Sequence, residues 1–167
     1  MISKYDEYFQ KYAAQYWAVD MEQDPDFWHW FAAQCKAESN FNPNAVSVVG
    51  AAGLMQFMKP TWSEMQSAIG VQDSLDPEQS IKAGIYYDRW IFNRLLGYTA
   101  SFVSWPTWNQ LYCVFAAYNW GIGNVRRVIK AMGSEFRLSW LEAEIKPQET
   151  RDYCDRIFRY HRDFLGA

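Results

Sequence analysis

A carboxylic acid donates a proton near neutral pH only where its charged form is disfavoured, and one stretch of this 167-residue chain offers such a setting. Glu38 ends the run Cys35-Lys36-Ala37-Glu38, and from Ser39 to Ser63 the only charged residue is Lys59. The rest of that stretch is Asn, Ser, Gly, Gln and apolar side chains, so Glu38 stands alone in sequence among neutral hydrogen-bonding groups. Such a carboxylic acid can give its proton to a leaving group, and residues 39–63 contain no second carboxylate to share the work. Glu64, Asp73, Asp76 and Asp88 come next; Asp76 reads as a helix cap, and Glu64 and Asp88 read as residues of helix faces.

The elements that must position Glu38 are helical. Residues 3–19 place Tyr5, Tyr8, Phe9, Tyr12 and Tyr16 on one stripe, which predicts an N-terminal helix within an extension over 1–24. Asp24-Pro25 reads as an N-cap followed by Pro at the first helical position, opening a helix that ends near Glu38. A carboxyl there faces the negative end of the helix dipole, which also favours its protonated form. Residues 40–53 are turn-rich and suggest short strand pieces or a small β hairpin beside a cleft. Pro60 restarts a helix that Gly70 closes. Asp76-Pro77-Glu78-Gln79 has the form of a capping box before a long helix, in which Gly84 implies a close crossing with another helix. Residues 98–109 form an aromatic connection that could be a lip of the groove or a helix-flanking loop tucked on the core. Residues 110–118 make a buried helix that breaks over 119–123, a basic helix follows over 124–132, Leu138–Ile145 adds a short one, and Pro147 opens the last. The expectation is one mostly α domain over 1–167.

Three motifs in chain order carry a family resemblance. Glu38-Ser39, Phe41-Asn42-Pro43, Ala45, Ser47, Gly50-Ala51 and Gly53-Leu54-Met55-Gln56 form the first; Ala117-Tyr118-Asn119-Trp120-Gly121-Ile122-Gly123-Asn124-Val125 the second; Pro147-Gln148-Glu149-Thr150-Arg151-Asp152-Tyr153 the third. Together they resemble the soluble lytic transglycosylase domain, a lysozyme-like fold, over about residues 25–160. The resemblance implies cleavage of the β-1,4 bond between N-acetylmuramic acid and N-acetylglucosamine in peptidoglycan. In that scheme Glu38 acts first as acid and then as base, and the sugar's own 6-hydroxyl closes a 1,6-anhydro ring. It further implies that Ser47 meets the N-acetyl group, and that Gln56 and Met58 line the groove, Gln56 as donor and acceptor. Tyr118 orients the substrate with Asn119 as its structural partner, and Glu149 is a second glutamate that tunes the site. For Met58 and Tyr118 a place in the core is the rival reading. Two departures bear on substrate preference: Lys59 intervenes in Met58-Lys59-Pro60-Thr61, and Trp120 stands where a small residue is common. The alternatives are a hydrolytic muramidase on the same fold, a non-catalytic glycan-binding or virion structural module, and a fold turned to the peptide cross-links.

Composition narrows the field. Half the residues are hydrophobic and 19% aromatic, enough for a core and compatible with a sugar groove. A net charge of −3 argues against nucleic acid as the principal partner. Residues 1–125 carry 7 basic against 12 acidic side chains and residues 126–167 carry 9 against 7, a mild basic tail that could meet anionic wall polymers or a membrane surface but also fits a solvated helical face. Cys35, Cys113 and Cys154 lack metal-ligand spacing and read as buried free thiols. No cofactor or metal is expected. The start, Met1-Ile2-Ser3-Lys4, has no basic segment leading into an apolar run, and no window is long enough to span a membrane. The reading is a monomer made in the cytoplasm without a signal peptide, acting on peptidoglycan glycan strands as a phage endolysin or from a virion, without stable membrane insertion; a domain cut from a larger secreted enzyme would look the same.

Overall fold

In the computed structural model, which describes residues 1–132 and 142–166, the chain is mostly helical, with the expected class and several shifted boundaries. The N-terminal helix is two: α1 (Asp6–Tyr16) and α2 (Ala18–Gln23). They part at Trp17, which is 1% exposed, packs on Phe27 and Phe31 with centroids at 5.6 and 5.4 Å, and donates from Nε1 to the Ile85 carbonyl at 3.2 Å. Burying that one large ring overrides a continuous helix.

The second correction concerns Asp24-Pro25. Residues 24–31 make successive three-residue turns, with Asp24 Oδ1 accepting from the Asp26 N–H at 3.0 Å, and α3 runs only from His29 to Ser39. It ends as expected beside Glu38, at Asn40 in the left-handed conformation (φ 51°). The strand pieces amount to two isolated antiparallel bridges, Val46 with Ala52 and Ala52 with Phe57, rather than a hairpin.

Helix α4 (Lys59–Ile69) ends at Gly70. Helix α5 (Pro77–Leu96) is capped by Asp76, whose Oδ1 accepts from the Gln79 N–H at 2.9 Å. Gln79 does not complete the capping box: its side-chain oxygen accepts from the Gln72 and Asp73 N–H groups at 2.6 and 3.2 Å, pinning the loop before the helix instead. A 3-10 turn, Ala100–Ser104, precedes α6 (Thr107–Trp120), whose residues Leu111–Ala117 are all buried. This helix continues past Asn119, so the break falls at Gly121 (φ 92°), and α7 (Ile122–Met132) follows at once. The short helix expected over 138–145 lies partly outside the described residues; 142–144 are helical. The last helix, α8, is Gln148–Phe164.

The chain forms two compact units: Met1–Tyr87 with the chain from Ile157, and Asp88–Arg156. The first has Phe9, Phe31, Leu54, Met55, Ile81 and Ile85 at its core, the second Ile91, Leu95, Phe102, Val114 and Phe115. All three cysteines are free and buried, and burial pushes their thiols up. Among the described residues, no helix is long and apolar enough to cross a membrane.

Candidate active site

Glu38 lies in the last turn of α3 and is half-buried. One turn earlier, the Cys35 thiol donates to the Leu54 carbonyl at 3.6 Å, which sets that end of α3 beside the Gly53-Leu54-Met55-Gln56 turn. The turn is held from every side. A Cβ on Gly53 would stand 1.9 Å from the Ser74 carbonyl oxygen, so only glycine fits there. Ser80, fully buried on α5, accepts the Met55 N–H at 3.2 Å. Met55 itself is fully buried against Gly84, so the close approach predicted at Gly84 is real but its partner is this turn, not a helix.

Gln56 adopts a left-handed backbone (φ 48°), and its amide nitrogen donates to the carbonyls of Ala45 and Gly53 at 3.1 and 2.9 Å. Both amide hydrogens are thereby spent on the main chain. The donor role expected of Gln56 toward a ligand is corrected on that ground; its oxygen is what remains for binding. Ser47 closes the neighbouring loop: its N–H donates to Ala51 O at 2.8 Å and its Oγ accepts from the Ala51 N–H at 3.0 Å. The hydroxyl hydrogen is left to meet a ligand. The tip of that loop exposes Val46, Val48 and Val49. Met58 is 42% exposed just before α4, so it is a surface residue and Met55 takes the core place.

Three of the other carboxylates near in sequence have structural work. Asp73 Oδ1 accepts from the Leu75 N–H at 2.9 Å, Asp76 caps α5, and Glu78 binds Lys11 Nζ and the Tyr12 hydroxyl at 2.6 and 2.7 Å. Glu64 is exposed on α4, whose buried side is Trp62 and Met65. Asp88 is fully buried, not the helix-surface residue expected from sequence.

The second unit carries the remaining candidates. Tyr118 is half-buried and Asn119 exposed at the end of α6, and Glu149 is exposed in the first turn of α8. Thr150, 1% exposed, donates its hydroxyl hydrogen to Asn119 Oδ1 at 2.7 Å, tying the second and third motifs together. Thr150 was not singled out in the sequence, although it sits inside the third motif. Glu142 was also passed over; burial and the nearby Asp155 charge hold its carboxyl above the usual range. Glu38, Ser47, Gln56 and Met58 thus lie in the first unit and Tyr118, Asn119 and Glu149 in the second.

Residues 15–138 match the family of the Transglycosylase SLT domain. This chain belongs to that family. Among its relatives it is 38% identical over 135 residues to the membrane-bound lytic murein transglycosylase F of Shewanella woodyi, covering 79% of this chain and 24% of the relative. The fold resembles the 70 kDa soluble lytic transglycosylase of Escherichia coli with a TM-score of 0.70 at 27% identity, over 97% of this chain and 24% of that one. It also resembles an inactive mutant of the lytic transglycosylase Slt from Pseudomonas aeruginosa, in which glutamine replaces a glutamate, with a TM-score of 0.64 at 25% identity, over 86% of this chain and 22% of that one. This SLT-family chain therefore spans about a quarter of the length of the relatives it matches. Glu38, Ser47, Gln56, Met58, Tyr118 and Asn119 fall inside the family match, and Glu149 beyond it.

Proposed function

We propose that this chain is a lytic transglycosylase that cleaves the β-1,4 bond between N-acetylmuramic acid and N-acetylglucosamine in peptidoglycan strands. The observation that carries the reading is the setting of Glu38: a half-buried carboxyl at the end of α3, beside a turn fixed by Gly53, Ser80 and Met55, with Asp73, Asp76 and Glu78 of its unit engaged elsewhere and Glu64 exposed on α4. Protonated Glu38 gives its proton to the glycosidic oxygen as the bond from C1 to that oxygen breaks. The carbonyl oxygen of the substrate's own N-acetyl group bonds to C1 and carries the charge that a second carboxylate would otherwise stabilise. Glu38, now a carboxylate, takes the proton from the 6-hydroxyl while O6 bonds to C1 and displaces the N-acetyl oxygen. The product is a 1,6-anhydro sugar, no water is consumed, and Glu38 ends protonated. Ser47 and the oxygen of Gln56 are the groups of the same unit we assign to substrate binding.

Mass spectrometry of fragments released from purified sacculi tests this. Anhydro-muramic ends are expected from the native chain and from Glu142→Gln, and none from Glu38→Gln with unchanged circular dichroism. Reducing ends would mean that water attacks and the chain is a muramidase. Full release by Glu38→Gln would remove Glu38 from the chemistry.

A further inference from the structure

From Arg89 to Ser134 the sequence has five Arg or Lys and no Asp or Glu, whereas the remaining residues carry 11 basic and 19 acidic side chains. The catalytic reading makes no use of this segment's charge. In the structure α7 buries Val125, Val128 and Ile129 and turns Arg127 and Lys130 to solvent, with Arg126 half-buried. Arg126 donates to the Arg94 carbonyl at 2.9 Å and lies over the Tyr98 ring at 5.2 Å, while Arg94 lies over Trp90 at 4.1 Å. Among the described residues, none of Arg94, Arg126, Arg127 and Lys130 is ion-paired to a carboxylate. They form a basic surface across the end of α5 and the outer side of α7.

Tyr98, beneath Arg126, is joined in the same unit by other exposed apolar side chains. Tyr98 is 39% exposed, Val103 68% and Trp108 62%. Val103 follows a buried anchor: Phe102 is fully buried between Phe92 and Trp105, with centroids at 5.7 and 5.2 Å. The Gln110 amide donates to the carbonyls of Phe102 and Val103 at 2.8 and 3.4 Å. Cations without a carboxylate partner among the described residues, together with exposed aromatic and aliphatic groups, are what the headgroup region of an anionic bilayer accepts, cations toward phosphate and Trp, Tyr and Val toward the acyl boundary. A soluble polyanion would use the cations and leave Val103 and Trp108 wet. A sugar strand would use Trp108 and gain little from Val103.

We propose that this surface adsorbs peripherally to anionic phospholipid bilayers through Arg94, Arg126, Arg127 and Lys130, with Tyr98, Val103 and Trp108 at the headgroup boundary. Adsorption would concentrate the chain at the membrane-facing side of its polymer substrate, and it stands whether or not the catalytic reading does.

The test is vesicle co-sedimentation of the full chain with phosphatidylglycerol/phosphatidylethanolamine and with phosphatidylcholine vesicles. Binding is expected on the first, weakened by salt, and at least tenfold weaker on the second. The exposed triple variant Arg94→Gln/Arg127→Gln/Lys130→Gln should lose about a hundredfold, at roughly fivefold per cation. Val103→Ser/Trp108→Ser should weaken binding and abolish the blue shift of tryptophan fluorescence that adsorption causes. Both variants alter solvent-facing side chains; circular dichroism checks their fold, and release of fragments from sacculi should be unchanged in the triple cation variant. Equal binding to both vesicle types, or no loss in the triple variant, would overturn the proposal. So would salt-sensitive binding to soluble polyphosphate as strong as to vesicles and indifferent to Val103→Ser/Trp108→Ser, which would mark a general polyanion surface.

Discussion

Met55 lies so close over Gly84 that a Cβ at position 84 would stand 2.5 Å from Met55 Cε and 2.8 Å from its Cγ. The thioether end can swing aside, but the Cγ is near the main chain of the turn that presents Gln56. Gly84→Ala gains roughly 1 kcal/mol of helix propensity in α5, and overpacking of a filled core costs about 1–3 kcal/mol. We expect a net loss, read as a melting temperature lower by about 2–6 °C, and a larger proportional loss of activity because the turn shifts. Met55→Ala combined with Gly84→Ala should be less destabilised than the sum of the single changes; strict additivity would show that the two side chains do not press on each other.

This contact also shows where sequence reading stops. Gly84 within an otherwise regular helix announces a close neighbour, yet nothing local says which residue arrives, because Met55 comes from a turn 29 positions earlier. Helix ends written in local chemistry were legible: Asp76 before Pro77 and Gly70 after α4. Ends decided by tertiary burial were not, as at Trp17, which splits the N-terminal helix, and at residues 24–28, where Asp24 caps a turn instead of α3. For the site, Glu38 stood out because an acid-free run follows it, whereas the double use of the Gln56 amide and the Thr150 bond to Asn119 depend on chain paths that only the fold reveals.

Gln56 combines a left-handed backbone with two bonds to the main chain, and its variants separate the two contributions. Gln56→Ala keeps the backbone strain and loses both bonds, a cost of about 2 kcal/mol. Gln56→Gly loses the same bonds but relieves roughly 1 kcal/mol of left-handed strain. Chemical denaturation should therefore rank native above Gln56→Gly above Gln56→Ala, with activity lost in both. A Gln56→Ala variant as stable as the native chain would mean that the amide does not hold the 45–57 segment.

The Asn119–Thr150 bond links the second and third motifs, and Thr150→Val deletes it at nearly constant volume. Asn119 is exposed, so its oxygen can turn to water and the stability cost should be no more than about 1 kcal/mol. If Asn119 positions Tyr118 for substrate, the rate of fragment release should fall severalfold more than stability implies, with Thr150→Ser restoring it. Equal rates for Thr150→Val and the native chain would leave the bond a purely structural one.

His161 stacks on Trp30 with ring centroids 3.5 Å apart and is 9% exposed, and burial holds its pKa down to about 4, with His29 adding to the depression and Asp24 opposing it. Burial lowers His29 as well, against the raising influence of Asp26, Asp24 and Asp6. Below the unfolded value near 6.5 the unfolded chain takes up protons that the folded chain refuses, so stability is fully present above about pH 6.5 and is lost as pH falls toward 4. At about 1.4 kcal/mol per pKa unit the His161 shift alone bounds the loss at about 3 kcal/mol, and the ring's remaining contact with solvent reduces the expected figure to roughly 1–2 kcal/mol. Melting followed by tryptophan fluorescence from pH 7 to pH 4 should show this decline, and His161→Phe, which keeps a ring on Trp30 without a titrating nitrogen, should flatten it. An equally steep decline in His161→Phe would assign the acid sensitivity to other groups.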